Sequence, residues 1–85
     1  MRRWVSSPSY RATLDVIVAA RHTSGLSQKA VADLLGKPPS FIAKIELGER
    51  RLDVVEFIAI ARALGLRPEE LLAGIVAALP NKLEF

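Results

Sequence analysis

The sequence predicts an all-α fold, a compact bundle of five short helices. Apolar residues recur at three- and four-residue spacing in five segments, and no segment alternates in the manner of a strand. Glycine or proline separates most of these segments, which predicts the short connections of a helical bundle. At 85 residues, of which 51% are hydrophobic, the chain can form one small core. It is therefore expected to be a single domain spanning residues 1–85, with short tails at 1–6 and 81–85.

The first two helices have recognisable starts. Ser7 can cap a helix that begins at Pro8, because a proline at the first helical position gives up no hydrogen bond. This helix is predicted to end before Gly25. Ser27 can cap a second helix, which runs to about Leu35. The apolar residues that recur on the first helix are Leu14, Ile17 and Val18.

A glycine marks the end of the third helix, and a capping box marks the start of the fourth. The third is predicted from Pro39 to Leu47, and Gly48 suits the left-handed residue that often ends a helix. Asp53 opens the fourth helix, with Glu56 three residues later as its capping-box partner. The predicted inner face of the fourth helix is Val54, Phe57, Ile58, Ala61 and Leu64.

A fifth helix is predicted from Pro68 until Pro80 ends it. Its apolar residues exceed what the core of a small monomer needs, so part of this helix is expected to form a homodimer contact. The residues proposed for that contact are Leu72, Ile75, Val76 and Leu79.

The second and third helices are joined by a turn so short that they must cross at a steep angle. Ala32 provides the small residue that such a crossing requires, and Gly36 permits the tight turn. With its apolar side facing inward, the third helix must show another face to solvent. An α-helix fits the major groove of DNA, which indicates what that face could contact. The apolar wedge between the two helices is expected to consist of Val31, Leu35, Ile42 and Ile45.

The stretch LSQKAVADLLGKPPSFIAKIELGERRL resembles the helix-turn-helix of the Cro and phage-repressor family, also called the XRE family. The continuation DVVEFIAIARALGLRPEELL is similar to the last two helices of that family. The resemblance implies a lambda-repressor-like fold with the helix-turn-helix at about residues 27–47. It also implies a cytoplasmic, nucleoid-associated transcriptional regulator that binds double-stranded DNA as a homodimer on a two-fold symmetric operator. The matching motif positions are Gln28, Ala32, Gly36, Ile42 and Ile45.

The same resemblance implies roles for individual side chains. Arg21 and Glu46 match a pair that forms a partly buried, structural salt bridge in the family. The residues expected to read bases are Pro39, Ser40, Phe41, Ala43 and Lys44. The residues expected to contact phosphates are Gln28, Lys29, Arg50 and Arg51. Lys37 stands where the family usually has a small apolar residue, and it is expected to add a further phosphate contact.

Pro39 departs from the family, in which this position is often a glutamine that grips adenine. Proline cannot make that contact, although it fits the first turn of a helix. Readout is therefore expected from Phe41, through a thymine methyl group, and from Lys44, through guanine O6 or N7. A second interpretation is that Phe41 simply packs over the turn, and that the lysines and arginines nearby form an ordinary solvated face.

Two further alternatives stay open. Arg2, Arg3 and Trp4 could form a basic arm that enters a DNA groove, or they could be a frayed terminus. The whole chain could instead be the antitoxin of a toxin–antitoxin pair, a protein-binding module whose DNA binding is autoregulatory.

Other function classes are not supported by the composition. The net charge of +3 agrees with an anionic partner without proving one. There is no cysteine, the single histidine, His22, has no second ligand nearby, and no glycine-rich phosphate loop is present. The longest apolar tract, 71–79, is far shorter than the ~20 residues that cross a bilayer. No enzyme activity, cofactor, metal site or membrane association is predicted.

Overall fold

Five α-helices follow one another in residues 7–85, the part of the chain that the computed structural model describes, and these residues contain no strand. The predicted all-α fold is confirmed. Arg2, Arg3 and Trp4 lie outside the described residues, so their proposed arm stays a prediction. The helices are α1 (Pro8–Ser24), α2 (Gln28–Leu34), α3 (Pro39–Leu47), α4 (Val54–Ala63) and α5 (Pro68–Ala78).

Side-chain caps begin three of the helices, as the sequence predicts. The hydroxyl of Ser7 accepts a hydrogen bond from the N–H of Tyr10, and the hydroxyl of Ser27 accepts one from the third residue beyond it. At α4 the capping box is complete. Asp53 accepts from the N–H of Glu56 (2.7 Å), and the Glu56 carboxylate accepts from the N–H of Asp53 (3.1 Å). These bonds satisfy N–H groups that have no partner inside the helix.

The core lies where α1, α2 and α3 meet, and α4 and α5 close it. Val31 and Ala32 of α2 have no solvent exposure, and Ile42 and Ile45 of α3 pack against them. The predicted wedge between α2 and α3 is therefore confirmed, with Leu35 half-buried at its edge.

The predicted inner face of α4 is wrong at its first residue. The side chain of Val54 is 73% exposed and that of Val55 is 75% exposed, so these two residues at the start of α4 contribute little to the core. Ile60, which the predicted stripe omits, is buried there together with Ala61 and Leu64.

The turn between α2 and α3 depends on a left-handed residue. Gly36 has a φ of +68°, a conformation that is strained for any residue with a side chain. The N–H of Gly36 donates to the carbonyl of Asp33, and the N–H of Lys37 donates to that of Ala32 (2.9 Å). These bonds satisfy the last carbonyls of α2 and set the direction in which α3 leaves.

Beyond α5 the chain returns to the start of α1. The hydroxyl of Ser7 donates to the carbonyl of Glu84, and the N–H of Glu84 donates to the hydroxyl of Ser9 (2.9 Å). Both serines are buried, so the last residues cover polar groups at the beginning of α1.

Candidate nucleic-acid interface

Helix α3 presents a mixed polar and small-residue face to solvent. Pro39, Ser40 and Lys44 are exposed, and Ala43 is half-buried beside them. Leu47, in the last turn, is 62% exposed. Of the five residues predicted to read bases, four therefore have solvent-accessible side chains on one side of this helix.

Phe41 is the exception among the predicted base readers. Its side chain is only 8% exposed and belongs to the core cluster. The guanidinium of Arg50 lies 4.7 Å from the centre of its ring, and the ammonium of Lys37 lies 5.5 Å from it. Cations at these distances are attracted to the ring face. This burial favours the packing role that the sequence left open, because a covered ring has no free surface for a thymine methyl group.

Arg21 and Glu46 form a salt bridge that connects α1 to α3. The Nε of Arg21 donates to one Glu46 oxygen (2.6 Å), and its Nη2 donates to the other (3.0 Å). The side chains are 12% and 9% exposed. Burial by itself raises the pKa of Glu46, but the hydrogen bonds from Arg21 and Gln28 outweigh it and hold that pKa below its ordinary value.

Gln28, the first residue of α2, joins the same cluster. Its amide nitrogen donates to the Glu46 carboxylate (2.9 Å). That bond uses one of the two amide hydrogens and leaves one for another acceptor. Glu46 therefore orients the side chain that the sequence assigns to a phosphate, at the amino end of a helix whose dipole also favours anions.

The two lysines assigned to phosphates are solvent-exposed. Lys29 pairs with Asp33 one turn later on α2 (2.8 Å), and this contact raises the pKa of Lys29. Lys37 is exposed in the turn before α3. Both ammonium groups can therefore reach an anion without breaking a buried contact.

Arg50 and Arg51 follow α3 but contact different parts of the molecule. Arg50 donates two hydrogen bonds to Glu56 at the start of α4 (2.8 and 2.6 Å). The guanidinium of Arg51 lies 5.8 Å from the ring of Tyr10 on α1. The Tyr10 hydroxyl also accepts from the N–H of Leu52 (3.2 Å), which ties this loop to α1.

Two contacts at this site could not be recognised in the sequence. Glu56 carries the signal of a helix cap, and nothing in its spacing indicates that its carboxylate also binds Arg50. The contact between Gln28 and Glu46 joins residues 18 positions apart on different helices. No periodic pattern predicts either contact, because both depend on how the helices cross.

Neither metal binding nor a membrane span is indicated by the described residues. Within residues 7–85, no three histidine, aspartate or glutamate side chains are arranged to hold a metal ion. In the same residues no helix combines the length and the apolar run that crossing a bilayer requires.

Comparisons with known proteins agree with this geometry. A helix-turn-helix family model matches residues 17–71, which is more than half of the chain. One solved structure, of an XRE-family like protein from Pseudomonas syringae pv. tomato str. DC3000, is 44% identical over 85% of this chain and 88% of that chain, with a TM-score of 0.78.

A second solved structure, of the clp gene regulator ClgR from C. glutamicum, is 15% identical over 85% of this chain and 94% of that chain. Its TM-score is 0.73, and at this identity the likeness shows the fold alone. A search of curated proteins finds no match. The family model and the 44% identical structure together show that this chain belongs to the XRE family of helix-turn-helix DNA-binding proteins.

Proposed function

We propose that this protein is a sequence-specific transcriptional regulator that lays α3 in the major groove of duplex DNA and binds a two-fold symmetric operator as a homodimer. The observation that carries the proposal is the exposed side of α3, where Ser40 and Lys44 face solvent while Ile42 and Ile45 anchor the helix in the core. Such binding would locate the protein with the nucleoid in the cytoplasm.

Base readout is proposed for Ser40 and Lys44, with Pro39 and Ala43 in apolar contact beside them. A lysine can donate to guanine O6 and N7, and a serine hydroxyl can donate or accept. Phe41 is proposed to pack in the core beneath this face and not to contact a base. The residues proposed to contact phosphates remain Gln28, Lys29, Lys37, Arg50 and Arg51.

Selection of bound duplexes from a random pool tests the proposal directly. We expect the wild-type protein to enrich a two-fold symmetric consensus, with half-sites about one helical turn apart. With Lys44→Ala, the consensus should lose preference at one position per half-site, worth about 1–3 kcal/mol, because the bond to the base edge is gone. The matched control is Arg50→Ala, which should weaken binding to all duplexes to a similar degree.

Two results would contradict these assignments. An unchanged consensus for Lys44→Ala would exclude Lys44 as a base reader. No enrichment by the wild-type protein would contradict sequence-specific binding and would favour the antitoxin alternative, in which a toxin is the partner.

The proposed dimer contact on α5 needs correction. Of its four predicted residues, Ile75 is buried in the core and Leu79 is half-buried against it. Ile75 therefore has almost no surface to offer a partner, and Leu79 offers only part of its side chain. Leu72 and Val76 are 52% and 62% exposed and lie one turn apart. The contact is therefore proposed to consist of Leu72 and Val76, of which Leu72 also lines a groove between α4 and α5.

A charge placed at Val76, within the proposed contact, should separate the dimer. We expect Val76→Glu to sediment as a monomer where the wild type sediments as a dimer, because a buried, unpaired carboxylate is costly. Ala78→Glu is the matched control, since residue 78 is also exposed but lies two positions further on, on nearly the opposite side of α5. A wild-type protein that remains monomeric while bound to DNA would exclude this interface.

A further inference from the structure

The guanidinium of Arg50 is held on several sides. Its Nη1 donates to Glu56 Oε1 (2.8 Å), and its Nη2 donates to Glu56 Oε2 (2.6 Å). Nη1 also donates to the carbonyl of Arg51 (3.1 Å). The guanidinium carbon, Cζ, lies 4.7 Å from the centre of the Phe41 ring, which is itself buried. An exposed arginine in a loop ordinarily samples many rotamers, whereas these contacts restrict this one to a single plane.

These contacts use only some of the N–H donors of the Arg50 guanidinium. A guanidinium has five N–H groups, and three of those of Arg50 are used by Glu56 and the Arg51 carbonyl. The Nε–H and the second Nη2–H have no partner among the described residues. They lie on one edge of the plane and form a fork that matches two oxygens of a phosphate. The side chain of Arg50 is 41% exposed, so an anion can approach it.

We propose that Glu56 is a positioning residue for DNA binding: it grips one edge of the Arg50 guanidinium so that the adjacent edge, formed by the Nε–H and the second Nη2–H, is presented to a backbone phosphate. The inference rests on the proposed function, because it assumes that Arg50 contacts DNA. It adds that a carboxylate, which repels DNA, strengthens the binding. The Phe41 ring of α3 lies over the same guanidinium, so α3 and the proposed phosphate contact are held together.

A purely electrostatic role for Glu56 predicts the opposite effect. If Glu56 only neutralised Arg50, its removal would strengthen binding to the polyanion. The chain offers a matched comparison in Lys29 and Asp33, since Lys29 is also assigned to a phosphate. That pair is exposed, lies within one helix, and leaves a flexible ammonium that needs no particular orientation. Asp33→Asn should therefore leave binding unchanged or make it tighter.

Glu56→Gln tests the positioning role with little change to the fold. Glutamine can take the same place in a capping box, so the start of α4 is kept. Glutamine cannot accept both charge-assisted bonds, so Arg50 loses its fixed orientation. We expect affinity for the duplex selected with the wild-type protein to fall about three- to tenfold. The slope of log affinity against log salt should become shallower, towards that of Arg50→Ala. In the Arg50→Ala background, adding Glu56→Gln should cause no further loss of affinity.

A second readout needs no DNA. In the wild-type protein, the nuclear magnetic resonance signals of the Arg50 Nη hydrogens bonded to Glu56 should show slow exchange with water and hindered rotation of the guanidinium. In Glu56→Gln both should be lost, while Asp33→Asn should leave them unchanged. A freely rotating Arg50 in the wild type would overturn the positioning role.

The failures of the two proposals can be told apart. If the wild-type protein does not bind the duplex, the proposed function fails and this inference fails with it. If the wild type binds and Glu56→Gln binds equally well or more tightly, only the positioning role is overturned.

Discussion

Replacing Arg21 with methionine is expected to lower the free energy of unfolding by about 3 kcal/mol, a large share of the stability of a small domain. The substitution keeps the volume of the side chain but leaves Glu46 with one neutral partner, Gln28, in a site where its side chain is 9% exposed. A charge so far from water is costly without its counter-ion. Urea unfolding of both proteins at neutral pH measures the difference.

The double variant Arg21→Met, Glu46→Leu separates the cost of an unpaired charge from the value of the salt bridge. Because both charges are gone, we expect this variant to be more stable than Arg21→Met alone. If the double variant is as unstable as the single one, then lost packing, and not an uncompensated carboxylate, explains the effect. The pair matters for binding because it fixes α3 to α1.

Affinity for duplex DNA is expected to fall steeply with salt. Each chain presents four cations assigned to phosphates, namely Lys29, Lys37, Arg50 and Arg51. Binding of two chains would release counterions from about eight phosphates and give a slope of about −7 for log K against log salt. Between 50 and 200 mM salt this slope corresponds to a loss of about 10⁴-fold in affinity.

The same titration reports how many chains bind. A single chain with four phosphate contacts should give a slope of about −3.6, and hence a loss of only about 150-fold over that range. Fluorescence anisotropy with a labelled duplex measures the slope. The matched control is Glu69→Gln, at the start of α5. Glu69 is not among the residues assigned to DNA contacts, so this variant should leave the slope unchanged. A flat response would exclude the proposed docking of α3 against the phosphate backbone.

Local signals account for most of what the sequence predicts correctly about the fold. Helix starts at Ser7, Ser27 and Asp53 are recognisable because a cap is a hydrogen bond between residues three apart. Gly36 and Gly48 mark helix ends because both adopt positive φ angles that other residues rarely adopt. Helix caps and left-handed glycines depend on residues close by in the chain, so a single sequence contains the whole signal.

The site is predicted less completely, because helical spacing locates a stripe but not its edges. Phe41 and Lys44 both fall on the predicted outer face of α3, yet Phe41 turns into the core and Lys44 stays exposed. Val54 belongs to the predicted apolar stripe of α4, yet its side chain is 73% exposed. These outcomes depend on the angles at which helices cross, and the spacing within one helix carries no information about those angles.

The sequence by itself determined the five helices, the tight turn at Gly36 and the family, since all three depend on residues close together in the chain. Only the tertiary structure decided that Phe41 supports Arg50, that Glu46 holds Gln28, and that Glu56 both caps α4 and grips a neighbouring guanidinium. Those contacts join separate elements. They form only when the core brings the elements together, so their geometry is a property of the packed molecule.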